Sequence, residues 1–243
     1  MDLAALEVLL VRFSSLVAEQ RWISEIDINP LLVSPEGLIA LDARVVVHGP
    51  EVAPEQIPQA AVRPYPSRYV LPWSMKDGGH VTIRPIRPED EPLMVRFHET
   101  LSERSVYLRY FHLMNLEQRT THERLTRICF IDYDREMALV ALHRNPETSE
   151  CEILGVGRLM KIHGTQEAEI AVLISDHWQG RGLGKELLAR LLVVAADDGL
   201  ARVVADILPD NRGVMRILEK LGFTLKHSLD DDVVHAEYKL QAV

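Results

Sequence analysis

A glycine-rich run decides the fold of this chain: Gln179-Gly180-Arg181-Gly182-Leu183-Gly184-Lys185. The segment before it, 168–174, has the apolar character of a buried strand, and the segment after it repeats leucine at helical spacing. The first turn of a helix carries unpaired N–H groups and the positive end of the helix dipole, and glycines let a backbone approach a pyrophosphate closely. Arg181 and Lys185 add formal positive charge. This strand, turn and helix therefore predict an anion-binding cradle.

Two other phosphate-binding motifs do not fit the run. A Walker loop needs G-x-x-x-x-G-K-[ST], and that spacing is absent from the sequence. A dinucleotide fingerprint needs G-x-G-x-x-G after the first strand of a βαβ unit, whereas Gly180, Gly182 and Gly184 are spaced differently. A glycine-rich turn that binds no ligand remains the alternative at this stage.

Periodic patterns on both sides of the cradle predict an α+β fold. Three strands in a row, then helix, strand, helix and strand, form an α+β plan with an antiparallel centre. We predict strands at 81–85, 137–142, 153–160, 167–174, 202–208 and 233–240, and helices at 89–101, 102–111, 116–129, 182–196 and 212–221.

The first third of the chain differs in composition from the rest. Prolines recur through residues 48–79, and because proline fixes φ and lacks an N–H donor, this stretch is interpreted as a linker. Before it, the pattern predicts a helix over 3–18 and a hairpin of two strands, 23–33 and 38–47. A helix and a hairpin are too small to hold a substantial core alone.

Bulk properties exclude several function classes. A net charge of −9 argues against a broad nucleic-acid-binding face. The start of the chain lacks the features of a signal peptide, and no apolar run reaches the roughly 20 residues of a membrane span, so we expect a cytoplasmic protein without a membrane partner. Cys129 and Cys151 show no metal-binding spacing and are expected to be two buried thiols.

The motifs around the cradle resemble those of the GNAT acetyltransferases. Gln179-x-x-Gly182-x-Gly184 matches their Q/R-x-x-G-x-G/A signature, and Asn211, followed by a helix ending in Lys220-Leu221-Gly222-Phe223, resembles their second signature. The resemblance covers roughly 81–240. It implies a GNAT domain over 80–243, with a central, mostly antiparallel mixed sheet flanked by helices, and acetyl-CoA as co-substrate without a metal.

In that family two neighbouring strands splay apart, and the amides of the cofactor pair with the open strand edge. The pyrophosphate lies on the glycine-rich turn, and an asparagine contacts the pantetheine arm. The cofactor-binding residues so implied are Val172, Leu173, Ile174, Gln179, Gly180, Arg181, Gly182, Leu183, Gly184, Lys185 and Asn211.

Catalysis by this family requires a neutral amine. Removing a proton from a lysine of pKa near 10.4 at neutral pH costs about 4–5 kcal/mol, which a general base supplies. Glu169 matches the position of the base in several protein-acetylating GNAT members, and we expect it to be buried beside the apolar strand. Two alternatives remain open. Either Glu169 is a non-catalytic carboxylate at the strand edge that faces water, or the neighbouring Glu167 is the base. Many members place a tyrosine acid where this chain has Leu218, so a side-chain acid is in doubt.

Two more stretches narrow the resemblance. Residues 81–90 and 101–111 are similar to the bacterial Pat-type protein lysine acetyltransferases, and Arg104 and Arg109 in the second stretch are candidates for the substrate entrance or plain helix-surface charges. Residues 1–47 resemble the C-terminal strands of an ATP-grasp domain from NDP-forming acyl-CoA synthetases. In that family an asparagine and an aspartate, here Asn29 and Asp42, hold magnesium. We interpret 1–47 as a remnant that does not bind ATP or magnesium by itself.

The resemblance leaves three functions open. The leading hypothesis is an N-acetyltransferase that acts on a protein lysine, with an acyl-CoA synthetase such as acetyl-CoA synthetase as the target that the remnant favours. A small-molecule amine acetyltransferase is the second. A non-catalytic acetyl-CoA sensor is the third: Glu169 argues against it, and the missing tyrosine argues for it.

Overall fold

The chain folds as two units. The computed structural model describes residues 3–35, 37–53, 56–57, 65–75, 78–145, 149–227 and 232–240. One unit is Met1–Tyr65 and the other is Pro66–Val243. Within the described ranges, no helix is both long enough and apolar enough to cross a membrane.

The first unit contains a helix and two small antiparallel ladders. Its elements are α1 (Leu3–Glu19), β1 (Ile23–Ile28), β2 (Leu31–Ser34), β3 (Gly37–Ala40) and β4 (Ala43–Val47). β1 pairs with β4, and β2 pairs with β3 inside them. The predicted hairpin of two long strands is therefore wrong in detail. Each predicted strand is divided in two where residues 29–30 lie opposite 41–42, because Pro30 has no N–H to donate to Leu41.

The second unit is built on an eight-stranded sheet. Its strands in spatial order are β11 (Thr224–His227), β12 (Val234–Lys239), β10 (Arg202–Ile207), β9 (Glu167–Ile174), β8 (Cys151–Lys161), β7 (Glu136–Arg144), β6 (His80–Pro85) and β5 (Leu71–Ser74). β9 and β10 run parallel, and the other neighbouring pairs are antiparallel. This mixed, mostly antiparallel sheet confirms the predicted fold class.

Helices cover both faces of this sheet. They are α2 (Glu91–Glu99), α3 (Glu103–Tyr110), α4 (Leu116–Arg119), α5 (His122–Cys129), α6 (Leu183–Asp197) and α7 (Arg212–Lys220). Because side chains alternate along a strand, β7 contributes Leu139 to the core under α6 and α7, and Val140 to the core under α2, α3 and α5. Each face of the sheet is thus closed by its own apolar cluster.

The parallel pair β9 and β10 separates soon after it forms. Three residue pairs join the two strands, from Arg202 and Glu167 to Val204 and Glu169. β8, in contrast, stays paired with β9 as far as Ile174. The last five residues of β9, 170–174, therefore have an open edge in the middle of the sheet.

Several boundaries differ from the sequence prediction. The predicted helix over 116–129 is two helices, because Thr121 has an extended backbone and starts α5. Strands β5 and β11 were not predicted; β5 lies in the proline-rich stretch, where Pro72 is tolerated because the strand is at the sheet edge. Cys129 is buried as expected, but Cys151 is half-buried.

Candidate active site

A long groove follows the open edge of β9. Its volume is about 620 Å³. The wall consists of Val172, Leu173 and Ile174 of β9, the glycine-rich turn, the first turns of α6 and α7, and parts of α3 and β5. Ten of the eleven residues implied for the cofactor line the groove, and the eleventh, Arg181, belongs to the same turn.

The open edge presents backbone amides to the groove. The N–H of Ser175 donates to the carbonyl of Leu154 at 2.9 Å, which fixes the alternation of amides along β9. Because successive residues of a strand point their N–H and C=O groups to opposite sides, those of Val172 and Ile174 face away from β8 and toward the gap. Leu173 contributes its largely buried side chain instead. Two of the three expected residues can therefore pair with an extended ligand.

The glycine-rich turn needs glycine at two positions. Gly180 has φ 78° and Gly182 has φ 94°, in the left-handed region that residues with a Cβ rarely adopt. Gly182 is the N-cap of α6, and no side chain caps this helix end. The first N–H groups of the helix are therefore left for a ligand.

Gln179 ties the turn to α3. Its side-chain amide donates to the carbonyl of Ile174 at 3.2 Å and to Asp176 Oδ1 at 2.8 Å. Asp176 in turn accepts from the backbone N–H of Ser102 at 2.7 Å and from Ser105 Oγ at 2.5 Å. Burial opposes ionisation of Asp176, but the hydrogen bonds from Ser105 and Ser102 outweigh it and hold the pKa below its usual value. Ser105 lines the groove, and Ser102 and Asp176 hold the turn against α3; the sequence motifs indicated none of the three.

The groove has a positively charged rim. Lys185 lies exposed in the first turn of α6, and Arg216 and Lys220 of α7 also line the groove. The guanidinium of Arg181 stacks over the ring of Trp178, 4.5 Å from its centroid. Positive groups beside a helix N-terminus are suited to phosphate.

Asn211 starts the helix on the opposite wall. Its side-chain oxygen accepts from the backbone N–H of Val214 at 3.3 Å, as the N-cap of α7. Asn211 lines the groove and also a second cavity beside it. The residue therefore lies where the two spaces meet.

The second cavity, which we call the acceptor cleft, contains Glu169. It has a volume of about 220 Å³, and Leu108, Arg109, Val172, Asn211 and Val214 line both it and the groove. Glu169 is exposed, so the expected burial of this carboxylate is wrong. β10 still pairs with β9 at Glu169, through Val204, and separates beyond it, so Glu169 lies where the gap begins.

The rival residues are placed differently. Glu167 forms an ion pair with Arg202 of the neighbouring strand and lines neither space. Leu218 is buried in the core and lines the acceptor cleft with an apolar side chain. Arg109 lies at the junction of groove and cleft, whereas Arg104 is exposed on the same helix and lines neither.

In the first unit, Asn29 and Asp42 are neighbours. The N–H of Asn29 donates to the carbonyl of Asp42 at 3.1 Å, and both residues are exposed. Among the residues that the structure describes, no group of three or more His, Cys, Asp or Glu side chains is arranged to hold a metal ion.

Comparison with known proteins decides the family. Residues 80–224 match the model of the acetyltransferase (GNAT) domain. The chain belongs to the GNAT acetyltransferase family. Residues 1–47 of this acetyltransferase match the model of an ATP-grasp domain, so the resemblance found in both segments is confirmed.

This acetyltransferase is similar to three known members of the family. It is 32% identical to acetyltransferase PA5475 of Pseudomonas aeruginosa over 165 residues, covering 67% of this chain and 86% of that protein. It is 25% identical to acetyltransferase Pat of Mycolicibacterium smegmatis over 154 residues, covering 63% of this chain and 44% of Pat. The crystal structure of the GNAT domain of S. lividans PAT superposes with a TM-score of 0.64 at 30% identity, covering 73% of this chain and all of that domain.

Proposed function

We propose that this acetyltransferase moves the acetyl group of acetyl-CoA to the side chain of a lysine on a protein. The observation that carries the proposal is the position of Glu169. This carboxylate lies in a cleft that meets the cofactor groove along the open edge of β9. Because Glu169 is exposed, a lysine on the surface of another protein can reach it.

The proposed cofactor site has three parts. The pantetheine arm pairs with the free amides of Val172 and Ile174, the pyrophosphate lies on the turn from Gln179 to Lys185, and Asn211 closes the opposite wall. Enzymes of this family use acetyl-CoA. The groove supports this assignment because it combines an open strand edge, an uncapped helix N-terminus and a basic rim.

The proposed chemistry needs one base. Glu169 takes a proton from the lysine ammonium, and the neutral nitrogen attacks the thioester carbonyl. The bond from nitrogen to the acetyl carbon forms, the bond from that carbon to sulfur breaks, and the nitrogen releases its second proton to water. With Leu218 in place of a tyrosine, the thiolate leaves without a side-chain acid at that position and is protonated by water, which its pKa near 8.5 permits.

The substrate class rests on two further supports. The similarity to Pat of M. smegmatis and PAT of S. lividans favours a protein substrate. The ATP-grasp segment at residues 1–47 favours an acyl-CoA synthetase as the target, since such domains occur in those enzymes. A cytoplasmic location stays a prediction from the sequence. The small-amine acetyltransferase and the acetyl-CoA sensor are the competing outcomes of the test.

The test is to incubate the protein with labelled acetyl-CoA and a cell lysate, and to identify labelled products by mass spectrometry. The expected result is acetyl-lysine on one or a few proteins, lost when Glu169→Gln replaces the wild type. Labelled small amines without labelled protein would replace the proposal with the small-amine enzyme. Binding of acetyl-CoA without any acetylated product would identify a sensor.

A further inference from the structure

A third cavity, which we call the arginine pocket, adjoins the acceptor cleft. It has a volume of about 180 Å³ and lies on the sheet face covered by α2, α3 and α5. Arg109, Tyr110 and Ala171 line both the pocket and the cleft. The charged and titratable side chains in its wall are His98, Arg109, Arg124, Arg127, Glu136 and Arg158.

Two of the four arginines have partners. Arg158 forms an ion pair with Glu136 and donates to the carbonyl of Ile128 at 2.5 Å. Arg127 forms an ion pair with Glu123 on the surface of α5, at 2.5 Å. The positive charges of Arg158 and Arg127 are therefore compensated by carboxylates within the fold.

Arg109 and Arg124 have no such partner. The described part of the chain offers neither guanidinium a hydrogen bond or an ion pair; instead both lie against Tyr110, at 5.2 Å and 5.1 Å from its ring centroid. Burial lowers the pKa of Arg109. The charge of Glu169 in the adjoining cleft offsets part of this effect without a hydrogen bond or ion pair to Arg109, so the pocket still leaves an anion to be supplied from outside.

The third sign of a missing ligand is His98. Its side chain is 1% exposed, and neither ring nitrogen has a hydrogen-bonding partner among the described residues. The same holds for Nε of Arg124. Buried polar atoms are nearly always satisfied, so unpaired atoms in the wall of a cavity indicate a polar occupant. Burial lowers the pKa of His98 to about 4, with smaller contributions from Arg119, Arg124 and Arg158, so the ring is neutral and has one N–H to donate.

The position of the pocket suggests where the anion comes from. A lysine ammonium approaching Glu169 is repelled by the arginines beside the cleft, so they do not bind the lysine itself. The pocket is too small for a large ligand but has room for one side chain. A carboxylate fits a pair of guanidinium groups, because each can donate two parallel hydrogen bonds to its oxygens.

We propose that the arginine pocket binds the carboxylate of an aspartate or glutamate that lies near the target lysine on the acceptor protein. This inference rests on the proposed function, because the carboxylate that it places in the pocket belongs to a protein acceptor. Arg109, Arg124 and His98 then select the lysine by its acidic neighbour, while Glu169 acts on its amine. An acidic enzyme thus recognises an acidic segment through one local positive site.

The test compares lysine peptides that differ only in a glutamate or glutamine at each position near the lysine. Wild type should acetylate the best glutamate peptide with a kcat/KM roughly 10- to 100-fold higher than its glutamine counterpart, the range expected for a hydrogen bond to a charged group. Arg124→Gln should lose this preference, because Arg124 lines the arginine pocket but neither the groove nor the cleft. Arg104→Gln, which removes an exposed arginine outside all three spaces, should keep it.

The outcomes separate the two proposals. The glutamine peptides measure whether each variant is folded and active, since their acetylation does not use the pocket. Equal rates on glutamate and glutamine peptides with wild type would overturn the inference and leave the proposed function intact. Failure of wild type to acetylate any lysine peptide or protein would remove both. Glutarate tests whether the pocket binds a free dicarboxylate instead of a side chain of the acceptor. Activation of the enzyme by glutarate, together with equal rates on the glutamate and glutamine peptides, would also overturn the inference.

Discussion

At the scale of single residues, the proposed catalysis depends on Glu169. Glu169→Gln keeps the shape of the side chain but cannot accept a proton, so kcat should fall about 10²- to 10⁴-fold while acetyl-CoA affinity barely changes. The measurement is steady-state kinetics over a range of pH, with calorimetric titration of acetyl-CoA. The mutant should need higher pH, where free amine is present without help.

Glu167→Gln is the matched control for this prediction. Glu167 is two residues away on the same strand, but it is paired with Arg202 and lines neither the groove nor the cleft. Its kcat should therefore change by less than about tenfold. Equal losses in the two variants would mean that neither carboxylate is the base.

His98 should make the protein sensitive to acid. Its pKa is lowered to about 4 in the folded state, first by burial and then by Arg119, Arg124 and Arg158, whereas the ordinary value is 6.5. Between these values the unfolded chain binds the extra proton, so the contribution of His98 is complete above pH 6.5 and is lost as pH falls to about 4.

The loss amounts to at most about 3 kcal/mol, at 1.36 kcal/mol for each pKa unit. Urea unfolding of wild type and His98→Leu at several pH values measures it. The stability of wild type relative to the mutant should decline across this range. A constant difference would contradict a neutral, buried imidazole.

At the scale of elements, the first turn of α6 should set the affinity for the phosphates of acetyl-CoA. Lys185→Glu reverses a charge on the rim of the groove, and the affinity should fall at least about tenfold. Because an acidic side chain is favourable in the first turn of a helix, the variant should fold as well as wild type. Calorimetric titration gives the affinity, and thermal unfolding checks the fold.

Two controls isolate the phosphate contribution. Acetyl-pantetheine lacks the phosphates, so its affinity should be the same for wild type and Lys185→Glu. Lys226→Glu reverses an exposed charge on β11, outside the groove, and should bind acetyl-CoA normally. A loss of affinity for acetyl-pantetheine would mean that the substitution disturbs the groove itself.

The elements also show how far local patterns can predict this fold. Strand β9 and the start of α6 matched the prediction closely, because a long apolar run and a glycine-rich turn both have strong local signals. The edge strands β5 and β11 have four residues each, and their proline or charged residues resemble a loop. Such strands form because a neighbouring strand provides backbone hydrogen-bonding partners. A local sequence pattern contains no information about those partners.

Sites assembled from several elements were predicted unevenly. The residues implied for the cofactor lie mostly in one segment, so a single motif indicates them together. The arginine pocket draws its side chains from α2, α3, α5, β7, β8 and β9, and its arginines look like ordinary surface charges in the sequence. The open edge of β9 depends on where β10 leaves it, which is again a property of the assembled sheet.

At the scale of the whole molecule, the second unit should carry acetyl-CoA binding by itself. All residues that line the groove lie between Trp73 and Lys220. A fragment of residues 66–243 should therefore bind acetyl-CoA as tightly as the full chain, as titration of both can measure. A fragment that begins at residue 80 lacks β5 and Trp73, so it should be less stable and bind more weakly.

Two results for these fragments would contradict the predictions. β5 pairs with β6, whose Val81 and Ile83 are buried, and loss of the strand exposes an edge and part of that core. Equal melting temperatures for the two fragments would mean that β5 adds nothing to the sheet. Loss of acetyl-CoA binding by the longer fragment would show that the first unit takes part in the site.

The separation of β9 from β10 affects the stability of the protein when no acetyl-CoA is bound. An unpaired strand edge is a template on which another extended chain can add, and such edges promote aggregation. In the proposed binding mode, acetyl-CoA occupies the gap, covers the edge and stabilises the fold by about 2.7 kcal/mol at a concentration one hundred times its dissociation constant. The amount of intact enzyme would then follow the supply of its own substrate, so that starvation for acetyl-CoA lowers both the rate of the reaction and the lifetime of the catalyst.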